Sequence, residues 1–456
     1  MMDKTMTSST LNDKKHSLAE STAVIDGIGG LYQEPDWLRE RRRRAYALYR
    51  ETPRPDRVSH LWRYTEPAQF EVNGDRTVPT VPAAGTKRVF PPAINASLAT
   101  EALAAAAYVR DGLVWKTAID DKLAARGVLV MDLHDASIQQ PKLVEPFLGR
   151  LIGPEFGKYE AYANAAWTGG LLVYVPRGVT IDRPIHVMTA QPGSGTFRAG
   201  RLLVIVESEA SLTLIDEYGE GTQEGGDASR TSSLVELFVA PAAHLHCTIV
   251  QNWNRGTVSF LTQRAHLDND ATLDTVITSL GAGTAKVDAG AVLAGKGAES
   301  NMFGLAIGDQ AQHYDHHTVH LHESGHTHSD LHFKVALRDQ ANSVYTGLIR
   351  IEDKAAFCEA YQENRNLVLS PGAKAESIPE LEIINNEVRC THGATVGKID
   401  PQEVFYLQSR GIDRAEAVHL IVAGFVGPIL DHLPVVARER LENIVLQRLE
   451  GDVAIG

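Results

Sequence analysis

From about residue 166 to residue 398, apolar and polar positions alternate in short runs broken by Gly, Asn and Asp. GGLLVYVPRGVTIDRPIHVMTA, GRLLVIVESEASLTLIDEY, SSLVELFVAPAAHLHCTIVQN and ANSVYTGLIRIEDKAAFCEAYQ are examples. A period of two puts successive side chains on opposite faces and predicts strands. A small residue opens many of the runs, as in Glu209-Ala210, Ala242-Ala243, Asp270-Ala271, Gly297-Ala298 and Lys354-Ala355. The first four of these pairs are 33, 28 and 27 residues apart. A loose period near 30 predicts coils of two or three short strands stacked on one another. The stretch has no Asn-Gly hairpin signal, which favours a parallel β-helix over a sandwich.

Helical periodicity frames this stretch. Asp36 is a good N-cap for a helix through WLRERRRRAYALYRE, which Pro53 and Pro55 end. A loop rich in Pro, Gly and Thr is expected over 66–97, an Ala-rich helix near 98–107, and more helix over 134–165. Near the C-terminus, Asp400-Pro401-Gln402-Glu403 supplies an N-cap, a Pro at N1 and a Glu at N3. Gly411 is a helix stop, and Asp413 with Glu416 repeats the capping box. Pro434 precedes a last helix, VVARERLENIVLQRLE, with Leu441, Val445 and Leu449 on one stripe. The expected organisation is a flexible leader over 1–35, a mostly helical N-terminal region over 36–165, a β-helix core over 166–398 and a C-terminal helical domain over 399–456.

Composition narrows the function. The 456 residues carry 44 Lys+Arg and 57 Asp+Glu, a net charge of −13, which argues against a dedicated nucleic-acid binder. Only three Cys occur, Cys247, Cys358 and Cys390, so a disulfide framework is excluded and a reducing compartment is expected. The polar N-terminus lacks a secretory signal, and the apolar run Leu420–Leu430 is too short to span a bilayer. The cytoplasm is the expected location, with no membrane contact. There are 18 His, nine of them between His313 and His392.

Two patterns can carry metal chemistry. In a strand, Cys390 and His392 project from one face, and a thiolate with an imidazole suits Fe or Zn. Two ligands do not close a site, so others must come from elsewhere in the fold or from another chain; a buried Cys beside a hydrogen-bonded His is the alternative. The second pattern is His313, His316, His317, His320, His322, His326, His328 and His332. Within it, His320/His322 and His326/His328 have same-face strand spacing, making these four further metal-ligand candidates. A solvated or ladder role on a β-helix face is the favoured reading of the cluster. Cys247 and Cys358 read as small residues facing the interior. Arg39 and Arg41 to Arg44 read as a solvated basic face or a contact for an acidic partner. There is no G-x-x-x-x-G-K-[ST], G-x-S-x-G or H-E-x-x-H, so no motif names a self-sufficient enzyme.

The segment NNEVRCTHGATVGKIDPQEVFYLQSRGI (385–412) closely resembles the signature of the SufB/SufD family of iron–sulfur cluster assembly scaffolds. YQENRNLVLSPGAKAESIPELEI (361–383), AWTGGLLVYVPRGVTIDRPIHV (166–187), DWLRERR (36–42) and LWRYT (61–65) resemble other parts of it. The Trp-Arg-Tyr-Thr element and Cys-Thr-His-Gly-Ala-Thr-Val-Gly are similar to the SufD branch. The resemblance implies a right-handed parallel β-helix with helical ends and a non-catalytic scaffold role. It implies pairing with a SufB-like subunit, and binding of a SufC-like ABC ATPase through the C-terminal helices. A nascent iron–sulfur cluster, transient and shared, would form at the subunit junction, with His392 as this chain's ligand and Cys390 its neighbour. A homodimer and a flavin in the complex are left open. The rival reading is a metal-dependent or polysaccharide-acting β-helix enzyme that uses the His-rich 313–332 stretch.

Overall fold

A computed structural model describes residues 23–72, 77, 86–219 and 228–449. Its N-terminal part contains β1 (Ala105–Arg110), β2 (Leu113–Ile119) and β3 (Leu129–Asp132). The long core begins with β4 (Leu171–Val175), β5 (Ile185–Thr189), β6 (Phe197–Val206), β7 (Ser211–Tyr218), β8 (Ser229–Val239), β9 (His244–Gln251), β10 (Thr257–Leu267) and β11 (Thr272–Ser279). It continues through β12 (Thr284–Leu293), β13 (Glu299–Gly308), β14 (His313–His322), β15 (His328–Leu337), β16 (Asn342–Ile351), β17 (Glu359–Val368), β18 (Lys374–Ile383) and β19 (Arg389–Lys398). Odd strands from β5 to β19 form one sheet with β1 and β2, and even strands from β4 to β18 form the other with β3. Pairing is parallel throughout β4–β19, so each coil contributes one strand to each sheet, and about eight coils stack into a parallel β-helix. The period-two pattern and the spacing near 30 therefore predicted the architecture, with two strands per coil.

The small residues that open the runs mark one corner of the coil. Glu209, Ala242, Asp270, Gly297, His326 and Phe357 take φ between 55° and 72°, turning the chain into the next strand. The residue after each, Ala210, Ala243, Ala271, Ala298, Thr327 and Cys358, is at most 1% exposed and points into the lumen. Only a small side chain fits that stack. The fifth and sixth corner residues are thus Thr327 and Cys358; the expected pair Lys354-Ala355 ends three residues before Cys358. Cys247 is also buried in the lumen core, so both interior cysteines are placed as the pattern indicated.

Helices cover the outer faces. α1 (Asp36–Glu51) and the helices α2 (Pro92–Ala99), α3 (Asp121–Ala125), α4 (Leu133–Gln139), α5 (Pro141–Val144) and α6 (Lys158–Ala166) belong to the N-terminal part. Leu38, Ala45, Tyr46, Ala163 and Trp167 pack there against Leu172, Leu203, Leu234 and Phe238 of the even-stranded sheet. α7 (Pro401–Gln408), α8 (Arg414–Leu430) and α9 (Val435–Leu449) close the chain. Val418, Val422, Val426, Leu441 and Val445 pack on Ile215, Val250, Val276, Phe303 and Leu305 of the odd-stranded sheet. Asp400 and Asp413 cap α7 and α8 as expected, accepting from Gln402 N at 2.8 Å and Ala415 N at 2.8 Å, and Gly411 sits at φ 89°.

Four expectations need correcting. Residues 1–22 of the supposed leader lie outside the described residues, but 23–31 are helical with Ile25 and Ile28 buried. The Ala-rich helix near 98–107 is instead the end of α2 and the strand β1. Ala105, Ala106 and Ala107 are fully buried and pair with Ile185, His186 and Val187. A neighbouring strand and a crowded interior override the helix preference of Ala. Residues 134–165 are only partly helical, and strands β1 to β3 fall within the region expected to be mostly helical. The Arg run is a solvated face only in part: Arg41, Arg43 and Arg44 are exposed, but Arg42 is 1% exposed, paired with Glu34 at 2.6 Å and stacked 4.2 Å over Trp167.

Candidate functional site

The β-helix ends in two uncovered edges, β18 in one sheet and β19 in the other. An edge strand presents a row of unpaired N–H and C=O groups, which natural proteins guard with charge, Pro or short length. β18 is guarded in this way by Pro379 and by Lys374, Glu376, Glu380 and Glu382. β19 is ten residues long, has charges only at its ends, Arg389 and Lys398, and leaves Val396 53% exposed. An edge of that length without internal charge or Pro leaves a row of backbone groups open to pairing.

Cys390 and His392 stand on this strand. Cys390 pairs in register with the lumen-facing Ala360 and packs against the lumen core, and His392 pairs with Gln362. Alternation therefore sets both side chains on the row that faces the lumen, where no further coil covers them. Cys390 is half-buried and His392 exposed. Burial pushes the Cys390 thiol up to about 11, so it is protonated at neutral pH. Their same-face placement agrees with the sequence reading.

The His-rich stretch separates into different environments. His316, His320 and His322 face the lumen and are at most 2% exposed, so they are not solvated. His320 Nε2 pairs with Ser300 Oγ at 3.1 Å, while His322 uses Nδ1 with Thr327 Oγ1 at 2.7 Å and Nε2 with Ser329 Oγ at 2.9 Å. Burial pushes these two imidazoles down to about 3 and about 4, so both are neutral. His326 is the corner residue at φ 60° and His328 begins β15, so this pair does not share a strand face. Among the described residues no group of three or more His, Cys, Asp or Glu is arranged to hold a metal ion. The convergent exposed ligands that the enzyme reading needs are not brought together in this stretch.

His313 and His317 serve the N-terminal segment instead. Asp315 is 1% exposed; its Oδ2 accepts from Lys286 Nζ at 2.9 Å and from the Thr65 hydroxyl, and His317 Nε2 lies 2.8 Å from Oδ1. His313 Nε2 is 2.7 Å from Thr65 Oγ1. Burial would raise the Asp315 carboxyl, but Lys286 and His317 outweigh it and hold it well below the usual range. Trp62 packs with Phe70, Tyr159 and Phe260, and Lys286 sits 5.0 Å over its ring. The LWRYT element is thus a clasp that ties residues 61–65 to the β-helix. His332, on the opposite sheet, has its pKa raised by Asp330 at 2.9 Å, partly offset by burial. Phe303 separates it from His432, which stacks 3.5 Å from the Phe303 ring.

Comparison with known proteins decides the family. Residues 187–425 match the family described as "SUF system FeS cluster assembly, SufBD core domain", and residues 32–187 match "SufBD protein N-terminal region". The chain belongs to the SufB/SufD family. It is 24% identical to the iron–sulfur cluster assembly protein SufB of Bacillus subtilis, over 94% of this chain and 93% of that one. Iron–sulfur cluster assembly SufBD family proteins of Staphylococcus haemolyticus and Staphylococcus epidermidis are likewise 24% identical over 94% of this chain and 93% of theirs. The SufBD match spans the β-helix coils from the end of β5 onward and α8 as far as Phe425, so it includes the open end and both edge strands.

Sequence reasoning missed the polar lumen. Gln362, Asn364 and Asn366 of β17 are all buried and face inward, although amides on a strand read as solvent-facing. The available signal was the two-residue spacing of Q-x-N-x-N, which aligns three amides on one face. The tie between α9 and the β-helix was missed too: Arg440 makes a two-pronged pair with the buried Glu217, which also meets His186 at 2.9 Å. Among the described residues no helix is long and apolar enough to cross a membrane.

Proposed function

We propose that this chain is a SufD-like, non-catalytic scaffold subunit that completes a cluster-building junction with a SufB-like partner. The observation that carries the reading is the open β-helix end, where an unguarded edge strand sets His392 and Cys390 on the uncovered lumen-facing row. The Cys-Thr-His-Gly motif of residues 390–393 supports the SufD branch over SufB. His392 is the ligand this chain offers the nascent cluster, which is cargo shared with the partner. Cys390, protonated at neutral pH, would bind only where iron displaces its proton.

The C-terminal helices are the surface for a SufC-like ABC ATPase. Phe405 and Tyr406 of α7 are 72% and 56% exposed, and such apolar groups on a helix face mark a protein contact. The Glu217–Arg440 pair and the apolar face of α8 and α9 couple these helices to the β-helix. Closure of the ATPase would pull on α7–α9 and shear the junction, exposing His392 to iron and sulfide through contacts that differ between the two states.

Co-expression with a SufB-like subunit and a SufC-like ATPase tests the reading. A stable complex carrying iron and acid-labile sulfide is expected, and its absorbance also reports whether a flavin is present. His392→Ala should lower cluster yield by more than about tenfold while the complex stays intact. Normal yield from His392→Ala would refute the ligand assignment. A chain that only self-associates through β19 would replace the heteromeric junction with a homodimer.

A further inference from the structure

The lumen turns polar toward the open end, and buried polar groups, as a rule partnered, include exceptions there: Asn366 Oδ1 lacks a partner, and Gln362 lacks one at both ends of its amide. In β17, Asn366 Nδ2 donates to Asn364 Oδ1 at 2.6 Å and to Thr395 O at 3.1 Å, and Asn364 Nδ2 reaches Phe333 O at 3.4 Å. Gln362 is 1% exposed, yet neither Nε2 nor Oε1 has a hydrogen-bond partner among the described residues. Its side chain presses across the lumen onto the opposite sheet. A Cβ at Gly347 would come within 2.3 Å of the Gln362 Nε2 and 2.6 Å of the Tyr345 hydroxyl oxygen. Gly at 347 leaves the room this amide occupies. A buried amide with both ends unpaired is destabilising, and an apolar isostere would pack there without that cost.

The neighbour in register is His392. The two Cα atoms are paired across parallel β17 and β19, and both side chains belong to the lumen-facing row. An imidazole that binds a metal through one nitrogen carries its proton on the other. That N–H is almost always accepted by a carboxylate, carbonyl or water, which fixes the tautomer and ring orientation. On one strand there is an imidazole that needs an acceptor, and on the next a carbonyl oxygen that has no donor.

We propose that Gln362 is the positioning residue for His392: its Oε1 accepts the second ring N–H when His392 binds iron. The amide nitrogen remains free to donate to sulfur at the junction. Gln362 acts through His392 and does not itself bind iron. The inference rests on the reading of His392 as the cluster ligand.

The test loads the complex anaerobically with ferrous iron and sulfide, for the parent, Gln362→Met, Gln362→Glu and His392→Ala. Gln362→Met keeps the volume but removes the acceptor, and should raise the iron concentration for half-loading by about tenfold or more. Its melting temperature should equal or exceed the parent's. Gln362→Glu keeps an acceptor and should load close to the parent. A packing role predicts the reverse order, with Met better tolerated than Glu, and that result overturns the proposal. So does a Met variant that fails to fold, because the argument requires an apolar side chain to fit. If Gln362→Met loads normally while His392→Ala does not, Gln362 loses its role and the ligand reading stands. If His392→Ala loads normally, both fall.

Discussion

Asp315→Asn tests whether the clasp, rather than metal binding, explains part of the His-rich stretch. Lys286 and Asp315 are 2% and 1% exposed and 2.9 Å apart. Neutralising Asp315 leaves the Lys286 ammonium buried with neutral acceptors, the Asn amide oxygen and the Leu61 carbonyl at 2.7 Å, and no counter-charge beside it among the described residues. Removing one partner of a buried pair costs about 3–5 kcal/mol, since the surviving charge is left uncompensated. The weakened Thr65 and His317 contacts add about 1 kcal/mol. Urea unfolding followed by tryptophan fluorescence, with Trp62 at the centre of the clasp, measures the loss. Limited proteolysis should show residues 60–65 becoming cleavable. The double variant Asp315→Asn/Lys286→Met removes both charges, and should be less destabilised than the two single losses added together. The sign with pH follows from the depressed Asp315 carboxyl, whose ordinary value is 3.8. Its contribution is fully present above about pH 4 and fades only as pH falls through the lower folded value. A loss under about 1 kcal/mol, or strict additivity in the double variant, would refute the reasoning.

Three further outcomes are expected. His320→Leu removes an imidazole that burial pushes down to about 3. The unfolded parent takes up this proton below about pH 6.5 while the folded one does not, so stability is lost toward acid. Relative to the parent, the variant should gain about 1.4 kcal/mol between pH 7.5 and pH 5.5, and a pH-independent difference would contradict the assignment. Gly347→Ala places a methyl group 2.3 Å from the Gln362 Nε2 and should cost about 1–3 kcal/mol by overpacking, unless calorimetry finds it neutral. Phe405→Glu with Tyr406→Glu should abolish co-purification with the ATPase and leave the melting temperature unchanged; retained binding would place the ATPase contact elsewhere.

Local signals carried the core and its ends. Period-two alternation, small residues at coil corners and the capping boxes at Asp400 and Asp413 act over a few residues, so they can be read along the chain. The same-face relation of Cys390 and His392 was legible for that reason. A family signature at 385–412 then added the expected chemistry. Local preference failed at Ala105–Ala107, where pairing with β5 outweighs helix propensity.

What the sequence by itself determined was that the chain coils as a parallel β-helix, is capped by helices, and carries one Cys-x-His pair on a strand. Which face of each strand turns inward was decided only when the coil closed. That closure buries His316, His320 and His322, gives His313 and His317 to the Thr65 clasp, and leaves His326 at a corner. It also makes β19 the last strand of its sheet, so His392 is uncovered and Gln362 lies beside it with no hydrogen-bond partner among the described residues. Alternation is a property of neighbouring residues. Exposure at an open end, and an orphaned amide next to it, depend on residues 30 or more positions apart, and only tertiary structure brings those together.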